Sequence, residues 1–255
     1  MKSIILAAGE GKRLRPYTDN IPKSLVKIAG SSMLEYQLGV FKKFKINHIV
    51  IAGYLSEKIK EVTKNVILNR EYASTNMLYT LFKAKDYFDD DIIISYGDIM
   101  YTEDTLLKLI NDENNISLTI DKNWKDYWSK RYENPLNDLE TLVKRNNILY
   151  EIGNKADNYD KIQGQYMGLI KISKSIINKI VLIYEECKKN GKIKGKDYKK
   201  AYLTDFIQEL IDRSIKINTI EISDPWIEID STEDYHNKET LRRLKEIKRI
   251  NNENK

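Results

Sequence analysis

The sequence has very little of what builds secreted or membrane-spanning proteins. Its 255 residues include one cysteine, Cys187, so no disulfide can form within the chain. We therefore expect a cytoplasmic protein, because thiols stay reduced in that compartment. No apolar run approaches the roughly 18 residues that a membrane helix requires, so a membrane is not an expected partner.

Charge of one sign is not in large excess either. Lys and Arg total 43 and Asp and Glu total 38, which leaves a net charge of +5. A nucleic-acid-binding protein usually carries a denser basic surface, so no nucleic-acid partner is expected. The small positive excess suits an anionic small molecule.

The apolar residues that are present follow an alternating order of strands and helices. Continuous apolar runs predict strands buried on both faces at residues 3–7, 48–52 and 92–96. Helical periodicity lies between them, for example at residues 33–44. This order predicts an α/β fold with a mainly parallel central sheet flanked by helices, and we expect residues 1–255 to form one domain.

The pattern changes between about residues 121 and 171. Aromatic residues cluster there, and two short strand patterns flank a turn at residues 145–147. We therefore predict a small, mostly antiparallel lobe inserted into the domain. Helices are predicted after it, at residues 174–189 and 202–213.

The loop after the first strand combines glycines with cations. Glycine lets backbone N–H groups approach an anion closely, and the cations can neutralise phosphate charge. The loop fits neither of two common phosphate-binding motifs, because Leu14 replaces the third glycine of one and Arg13 the Ser or Thr of the other. It predicts a phosphate site of another kind, and a surface turn with scattered cations is the alternative.

The run from Leu6 to Lys23 resembles the signature of the sugar-phosphate nucleotidyltransferases, Leu-Ala-Ala-Gly-x-Gly-x-Arg-Leu-x-Pro-x-Thr-x-x-x-Pro-Lys, at every fixed position. The resemblance implies a Rossmann-like nucleotidyltransferase fold. It also implies an enzyme that joins a nucleoside triphosphate to a small phosphorylated compound and releases pyrophosphate. Arg13 and Lys23 would then be catalytic, because they stabilise phosphate charge. The implied nucleotide-binding residues are Leu6, Ala7, Ala8, Gly9, Gly11, Lys12 and Gly97.

Two acidic positions are candidates for a metal site. Asp98 follows the strand pattern at 92–96, and a late Glu-x-Asp places Glu228 two residues before Asp230. The resemblance implies that Asp98 and Asp230 bind Mg²⁺, a cation that prefers one or two carboxylates together with phosphate oxygens and water. A turn or helix-cap role is the alternative for Asp98. On a strand, Glu228 and Asp230 share one face, and we expect Glu228 to lie nearer the acceptor.

Residues 72–81 and several later segments resemble the small cytidylyltransferase branch, which acts on phosphocholine and similar non-sugar phosphates. The resemblance implies CTP as the nucleotide and Asn76 as a residue that reads the base. Besides Glu228, the candidate acceptor-binding residues are Trp124, Arg131, Tyr166 and Trp226. The aromatic residues could cage a quaternary ammonium or simply fill the core.

Two departures from the branch bear on the acceptor. Gln165 stands where a glutamate is common, and Arg131 lies beside the aromatic cluster. Both favour an acceptor that carries its own carboxylate, and the resemblance points to L-glutamine phosphate, used in capsular polysaccharide modification. Phosphocholine is one alternative, and a sugar 1-phosphate used with UTP, dTTP or CTP is another. The oligomeric state is left open, with a homodimer as the candidate.

Overall fold

The computed structural model describes residues 1–253. Its strands are β1 (Lys2–Ala7), β2 (Lys27–Ile28), β3 (Ser31–Ser32), β4 (Asn47–Ala52), β5 (Val66–Leu68), β6 (Ile92–Tyr96), β7 (Ile99–Tyr101), β8 (Ile116–Asp121), β9 (Glu140–Arg145), β10 (Ile148–Lys155), β11 (Gln165–Ile172), β12 (Lys192–Ile193), β13 (Lys196–Asp197), β14 (Asn218–Ile222) and β15 (Trp226–Glu228). Its α-helices are α1 (Met33–Lys43), α2 (Ser56–Val62), α3 (Met77–Phe82), α4 (Glu103–Ile110), α5 (Trp124–Arg131), α6 (Lys174–Asn190), α7 (Leu203–Asp212), α8 (Thr232–His236) and α9 (Lys238–Glu253).

Nine of these strands form one sheet in the order β5-β4-β1-β6-β11-β8-β14-β10-β9. Strands β5, β4, β1 and β6 are parallel to one another, and β8 is parallel to β14. The antiparallel pairings of β11 and β10 reverse only those two strands relative to the others. The predicted α/β class with a mainly parallel central sheet is confirmed.

The core explains why the first strands are apolar throughout. In β1, Ile4 and Leu6 face one apolar cluster, whereas Ile5 and Ala7 face another on the opposite side of the sheet. Successive side chains of a strand point to opposite faces, so a strand covered on both sides needs apolar residues at every position. Within residues 1–253, no helix combines the length and the apolar character of a membrane span.

The segment at 121–171 contributes the antiparallel strands that its sequence predicts. Strands β9 and β10 form a hairpin, and β11 runs antiparallel to both β6 and β8. All three belong to the nine-stranded sheet and extend or fill it, rather than forming a separate layer. The aromatic cluster lies on helix α5, which the turn-rich sequence did not indicate.

Two neighbouring features create the edge at which a ligand can bind. Strands β1 and β6 are adjacent and parallel, so their carboxyl ends meet. The short antiparallel pair β7–β15 begins just beyond β6 and brings a late segment of the chain to the same place. In sheets of this kind, ligands bind outside the carboxyl ends of the strands.

Candidate active site

The loop after β1 folds back on Lys23. Gly11 has φ +62°, and a Cβ atom there would lie 2.8 Å from Cβ of Lys23 and 3.1 Å from Cγ2 of Thr18. The Thr18 hydroxyl donates a hydrogen bond of 2.9 Å to the Gly11 carbonyl, and Leu14 is fully buried beneath the loop. A left-handed backbone with no room for a side chain requires glycine, so the loop geometry depends on Gly11.

The ends of β1 and β6 touch through Gly97. Its N–H donates a hydrogen bond of 3.0 Å to the Leu6 carbonyl, and a Cβ atom would stand only 2.7 Å from that oxygen. The close approach places Asp98, the next residue, directly beside the glycine loop. Gly9 borders open space, since no atom lies within 4 Å of the position that its Cβ would occupy.

Strand pairing brings the two predicted metal ligands together. In the β7–β15 pair, Glu228 is opposite Ile99, and the Ile229 N–H donates a hydrogen bond of 3.1 Å to the Asp98 carbonyl. Asp230 follows directly, beyond the end of the pair, and its carboxylate shares the Lys23 ammonium with Asp98. The position of Asp230 is therefore set by a register between two strands that are far apart in the chain.

Both predicted catalytic cations contact these carboxylates. The Lys23 Nζ atom donates a hydrogen bond of 2.6 Å to Oδ2 of Asp98 and a second hydrogen bond to Oδ1 of Asp230. Arg13 forms an ion pair with Asp230 from the solvent side, and 63% of its side chain is exposed. The structure thus joins the four predicted groups in one cluster of two cations and two anions.

The donor set fits a divalent cation that also binds phosphate. Oδ1 of Asp98 is buried and has no hydrogen-bond partner, so one carboxylate oxygen is left to accept a ligand. The part of the chain that the structure describes has no group of three or more His, Cys, Asp or Glu side chains able to hold a metal by themselves. Two carboxylates without a complete protein cage suit Mg²⁺, which takes its other ligands from phosphates and water.

Behind Asp230, Glu228 is paired with a buried arginine. Nη1 and Nη2 of Arg131 donate hydrogen bonds of 3.2 and 3.3 Å to Oε2 of Glu228. Burial raises the pKa of Glu228, and the positive charge of Arg131 opposes this effect. The Arg131 side chain is 0% exposed, so it acts on the site through its partners.

Comparisons with known proteins show which family the chain belongs to. Residues 2–125 match the family described as nucleotidyl transferase. The CTP:phosphoglutamine cytidylyltransferase of Campylobacter jejuni is 37% identical over 246 residues, which cover 92% of this chain and 97% of that protein. The chain belongs to the nucleotidyl transferase family. It is an enzyme of this family, as its opening motif predicts.

Two solved structures share the fold of this nucleotidyltransferase. The inositol-1-phosphate CTP transferase from T. maritima is 21% identical, covers 97% of this chain and 96% of its own, and superposes with a TM-score of 0.72. The CTP:phosphocholine cytidylyltransferase from Streptococcus pneumoniae is 24% identical and has a TM-score of 0.71. The match covers 96% of this chain and 98% of that chain. The predicted Rossmann-like nucleotidyltransferase fold is confirmed.

The candidate acceptor-binding aromatics of the nucleotidyltransferase occupy different surroundings. Trp226 is buried, and its Nε1 donates a hydrogen bond of 2.9 Å to Asp121. Trp124 is buried too, and its ring centroid lies 5.9 Å from that of Tyr159. Tyr166 packs edge-on against Tyr96, at 5.6 Å between centroids. The roles of these residues and of Arg131 in acceptor binding stay predictions, and the structure itself gives both tryptophans a packing role.

Tyr96 and Glu140 belong to the same neighbourhood but were missed in the sequence. Burial raises the pKa of Tyr96, and the charges of Glu140 and Asp98 add to this effect. Burial, followed by the charge of Asp205, raises the pKa of Glu140 to about 7. Tyr96 could have been found from its place just before Gly97, whereas Glu140 has no local motif around it.

The remaining predicted nucleotide-binding residues lie around the loop and at the start of α3. Leu6, Ala7 and Ala8 are buried, so a ligand could reach their backbone rather than their side chains. Lys12 extends into solvent, 3.3 Å from Glu10. Asn76 donates a side-chain hydrogen bond of 2.9 Å to the Lys200 carbonyl. The nucleotide contacts of these residues stay predictions.

Proposed function

We propose that this nucleotidyltransferase is a Mg²⁺-dependent cytidylyltransferase. It transfers CMP from CTP to a small phosphorylated acceptor that is not a sugar, and it releases pyrophosphate. The observation that carries the proposal is the convergence of Lys23, Asp98 and Asp230 beside the glycine loop. The relative that matches 92% of the chain supports CTP as the nucleotide.

The reaction needs charge control rather than a covalent nucleophile. An oxygen of the acceptor phosphate attacks the α-phosphorus of CTP and forms a new P–O bond. The bond from the α-phosphorus to the bridging oxygen breaks, and its electron pair leaves with pyrophosphate. Lys23 and Arg13 neutralise negative charge that accumulates on the phosphates in this transition state, a contribution that is large in phosphoryl transfer.

Asp98 and Asp230 would hold Mg²⁺ between them, with Oδ1 of Asp98 already available. Bound Mg²⁺ would supply charge neutralisation at the phosphates and a fixed template for their geometry. Gly11 and its neighbours offer backbone N–H groups to the triphosphate, and Gly9 leaves room for the nucleoside. Asn76 is our candidate for reading the cytosine edge.

For the acceptor, our first choice is L-glutamine phosphate, activated for capsular polysaccharide modification in the cytoplasm. The 37% identical relative is named for phosphoglutamine. The charges of Glu140 and Glu228 act on Tyr96, which packs against Tyr166. Carboxylates on this side of the site would suit an amino group, whereas Arg131 is already paired with Glu228 and Asp234. Phosphocholine is the second candidate, because the S. pneumoniae structure with a TM-score of 0.71 belongs to an enzyme for that substrate.

The test is pyrophosphate release with four nucleotides, CTP, UTP, dTTP and ATP, against a panel of acceptors. The panel holds phosphoglutamine, phosphocholine, phosphoethanolamine and glucose 1-phosphate, each with Mg²⁺ and with a chelator. We expect turnover with CTP and phosphoglutamine that the chelator abolishes, and mass spectrometry should identify the CMP-linked product. Turnover only with UTP or dTTP and glucose 1-phosphate would overturn the proposed substrates and leave the family intact.

A further inference from the structure

We propose that Asp234 is a positioning residue that holds the metal ligand Asp230 in its active orientation. The inference rests on the proposed function, since it assigns a role to the residue behind a proposed metal ligand. Asp234 lies in helix α8, and the residue is only 2% exposed. It contributes no atom to the cluster of Lys23, Asp98 and Asp230, so its effect must pass through another residue.

The Asp234 carboxylate binds the backbone of Asp230 directly. Its Oδ2 atom accepts hydrogen bonds from the Asp230 N–H at 3.0 Å, the Ser231 N–H at 3.1 Å and the Ser231 hydroxyl at 3.2 Å. The Asp234 N–H in turn donates to the Ser231 hydroxyl at 3.2 Å. These bonds fix the chain where it leaves β15, and they therefore fix the direction in which the Asp230 side chain projects.

The other carboxylate oxygen links this turn to a distant helix. Oδ1 of Asp234 accepts a hydrogen bond of 2.9 Å from Nε of Arg131, which lies in α5. The same guanidinium binds Glu228, so one arginine joins two carboxylates on either side of Asp230. It lies about 5 Å from the rings of Tyr127 and Trp128, which keep it out of solvent. The bridge from Glu228 through Arg131 to Asp234 thus braces the segment that carries Asp230.

Every partner of the Asp234 side chain is a hydrogen-bond donor, which makes asparagine an informative replacement. In Asp234→Asn the new side chain would have nearly the same shape, but only one of its two terminal atoms can accept. If its oxygen faces Asp230, its amide group meets Nε–H of Arg131, donor against donor. If it turns round, the Asp230 N–H loses its acceptor. Either orientation leaves buried donors unpaired, at a site where asparagine is otherwise a conservative change.

The test measures metal binding as well as turnover. Mn²⁺ binding in the presence of CTP is followed by electron paramagnetic resonance, and the Mg²⁺ concentration for half-maximal turnover is measured separately. We expect Asp234→Asn to weaken Mn²⁺ binding by roughly 10- to 100-fold and to raise the Mg²⁺ concentration for half-maximal turnover by a similar factor. This is the range found when the partner that orients a metal ligand is removed. Turnover should recover in large part at saturating Mg²⁺, because no reacting group has been removed.

A matched variant separates positioning from helix capping. Ser32 and Glu35 form the same type of capping box at the start of α1, away from the metal ligands. Glu35→Ala should reduce thermal stability and leave Mn²⁺ binding unchanged. A milder variant, Ser231→Ala, keeps the hydrogen bond that the Asp230 N–H donates to Asp234 and should weaken Mn²⁺ binding only about two- to threefold.

The outcomes distinguish this inference from the proposed function. If wild type binds Mn²⁺ with CTP but turns over none of the acceptors, the proposed acceptor is wrong and the binding comparison still tests Asp234. Unchanged Mn²⁺ binding in folded Asp234→Asn overturns the positioning role, even if the variant is less stable. Should that variant not fold, unchanged Mn²⁺ binding in Ser231→Ala overturns it instead.

Discussion

Replacing Lys23 with methionine should lower the stability of the protein without metal and increase its stabilisation by Mg²⁺. The Lys23 ammonium contacts both proposed metal ligands, and the Lys23, Asp98 and Asp230 side chains are only 14%, 12% and 23% exposed. Methionine keeps an unbranched chain of similar length but removes the charge. The two carboxylates then face each other with Arg13 as their remaining cation.

The magnitude follows from the burial of these groups. Removing one partner from a fully buried ion pair costs about 3–5 kcal/mol. Partial exposure and the remaining Arg13 reduce this figure, and we expect a loss of about 2 kcal/mol in the free energy of unfolding without metal. For a domain of this size, each kcal/mol shifts Tm by about 2–4 °C, so Tm should fall by about 4–8 °C.

Divalent metal should restore much of this loss. In wild type a metal ion must displace or share the contacts that Lys23 makes, whereas in Lys23→Met it meets two unpaired carboxylates. A tenfold gain in metal affinity would add about 1.4 kcal/mol at saturating metal. The rise in Tm on adding Mg²⁺ should therefore be roughly 3–6 °C larger in the variant, although turnover falls about 100- to 1,000-fold through lost charge stabilisation.

The assay is thermal unfolding with and without millimolar Mg²⁺, followed by circular dichroism. Lys171→Met is the matched control, because Lys171 is also buried and its Nζ donates a hydrogen bond of 3.0 Å to the Ile110 carbonyl, away from the metal ligands. The control should lose stability and show the wild-type response to Mg²⁺. An equal Mg²⁺ response in Lys23→Met and wild type would refute the reasoning.

Three further predictions concern single positions. Asp230→Asn should abolish Mg²⁺-dependent pyrophosphate release and leave the far-ultraviolet circular dichroism unchanged, whereas Asp89→Asn, which removes an exposed charge just before β6, should keep full turnover. Gly97→Ala should lower Tm, because its Cβ would stand 2.7 Å from the Leu6 carbonyl oxygen. Gly39 lies in α1, and its Cβ would meet no atom within 4 Å. Gly39→Ala should therefore raise the free energy of unfolding in urea by about 0.5–1 kcal/mol. Glu140 has a pKa of about 7 in the folded protein against 4.5 as the ordinary value, so the folded state binds more protons and the free energy of unfolding should fall between pH 4.5 and 7. Glu140→Gln should remove that part of the slope in urea titrations, and an identical slope in both proteins would contradict the raised pKa.

The parts of the site that depend on local chain geometry were predictable. The glycine loop follows β1 and leads to Lys23 within one continuous motif, and Asp98 comes two residues after β6. A buried parallel strand must be apolar at every position, so continuous apolar runs located β1, β4 and β6. Since the carboxyl ends of parallel strands lie at one edge, a parallel sheet places both the loop and Asp98 at that edge.

The surroundings of the acceptor side could not be predicted in the same way. Arg131 is of a residue type that often binds anionic ligands, but in the fold it is enclosed by aromatic rings and two carboxylates. Glu140 starts an antiparallel strand with no motif around it, and its pKa depends on burial by residues from other elements. These properties belong to packing between distant segments, which periodicity does not record.

By itself, the sequence determined the fold class, the family and the residue types of a phosphate and metal site. The tertiary structure decided which of these residues meet. Asp230 reaches Asp98 because β15 pairs with β7 in one register, and Asp234 holds it there with help from Arg131 in α5. A strand register depends on hydrogen bonds and packing between segments that are far apart in the chain, and a different register would place Asp230 away from Asp98.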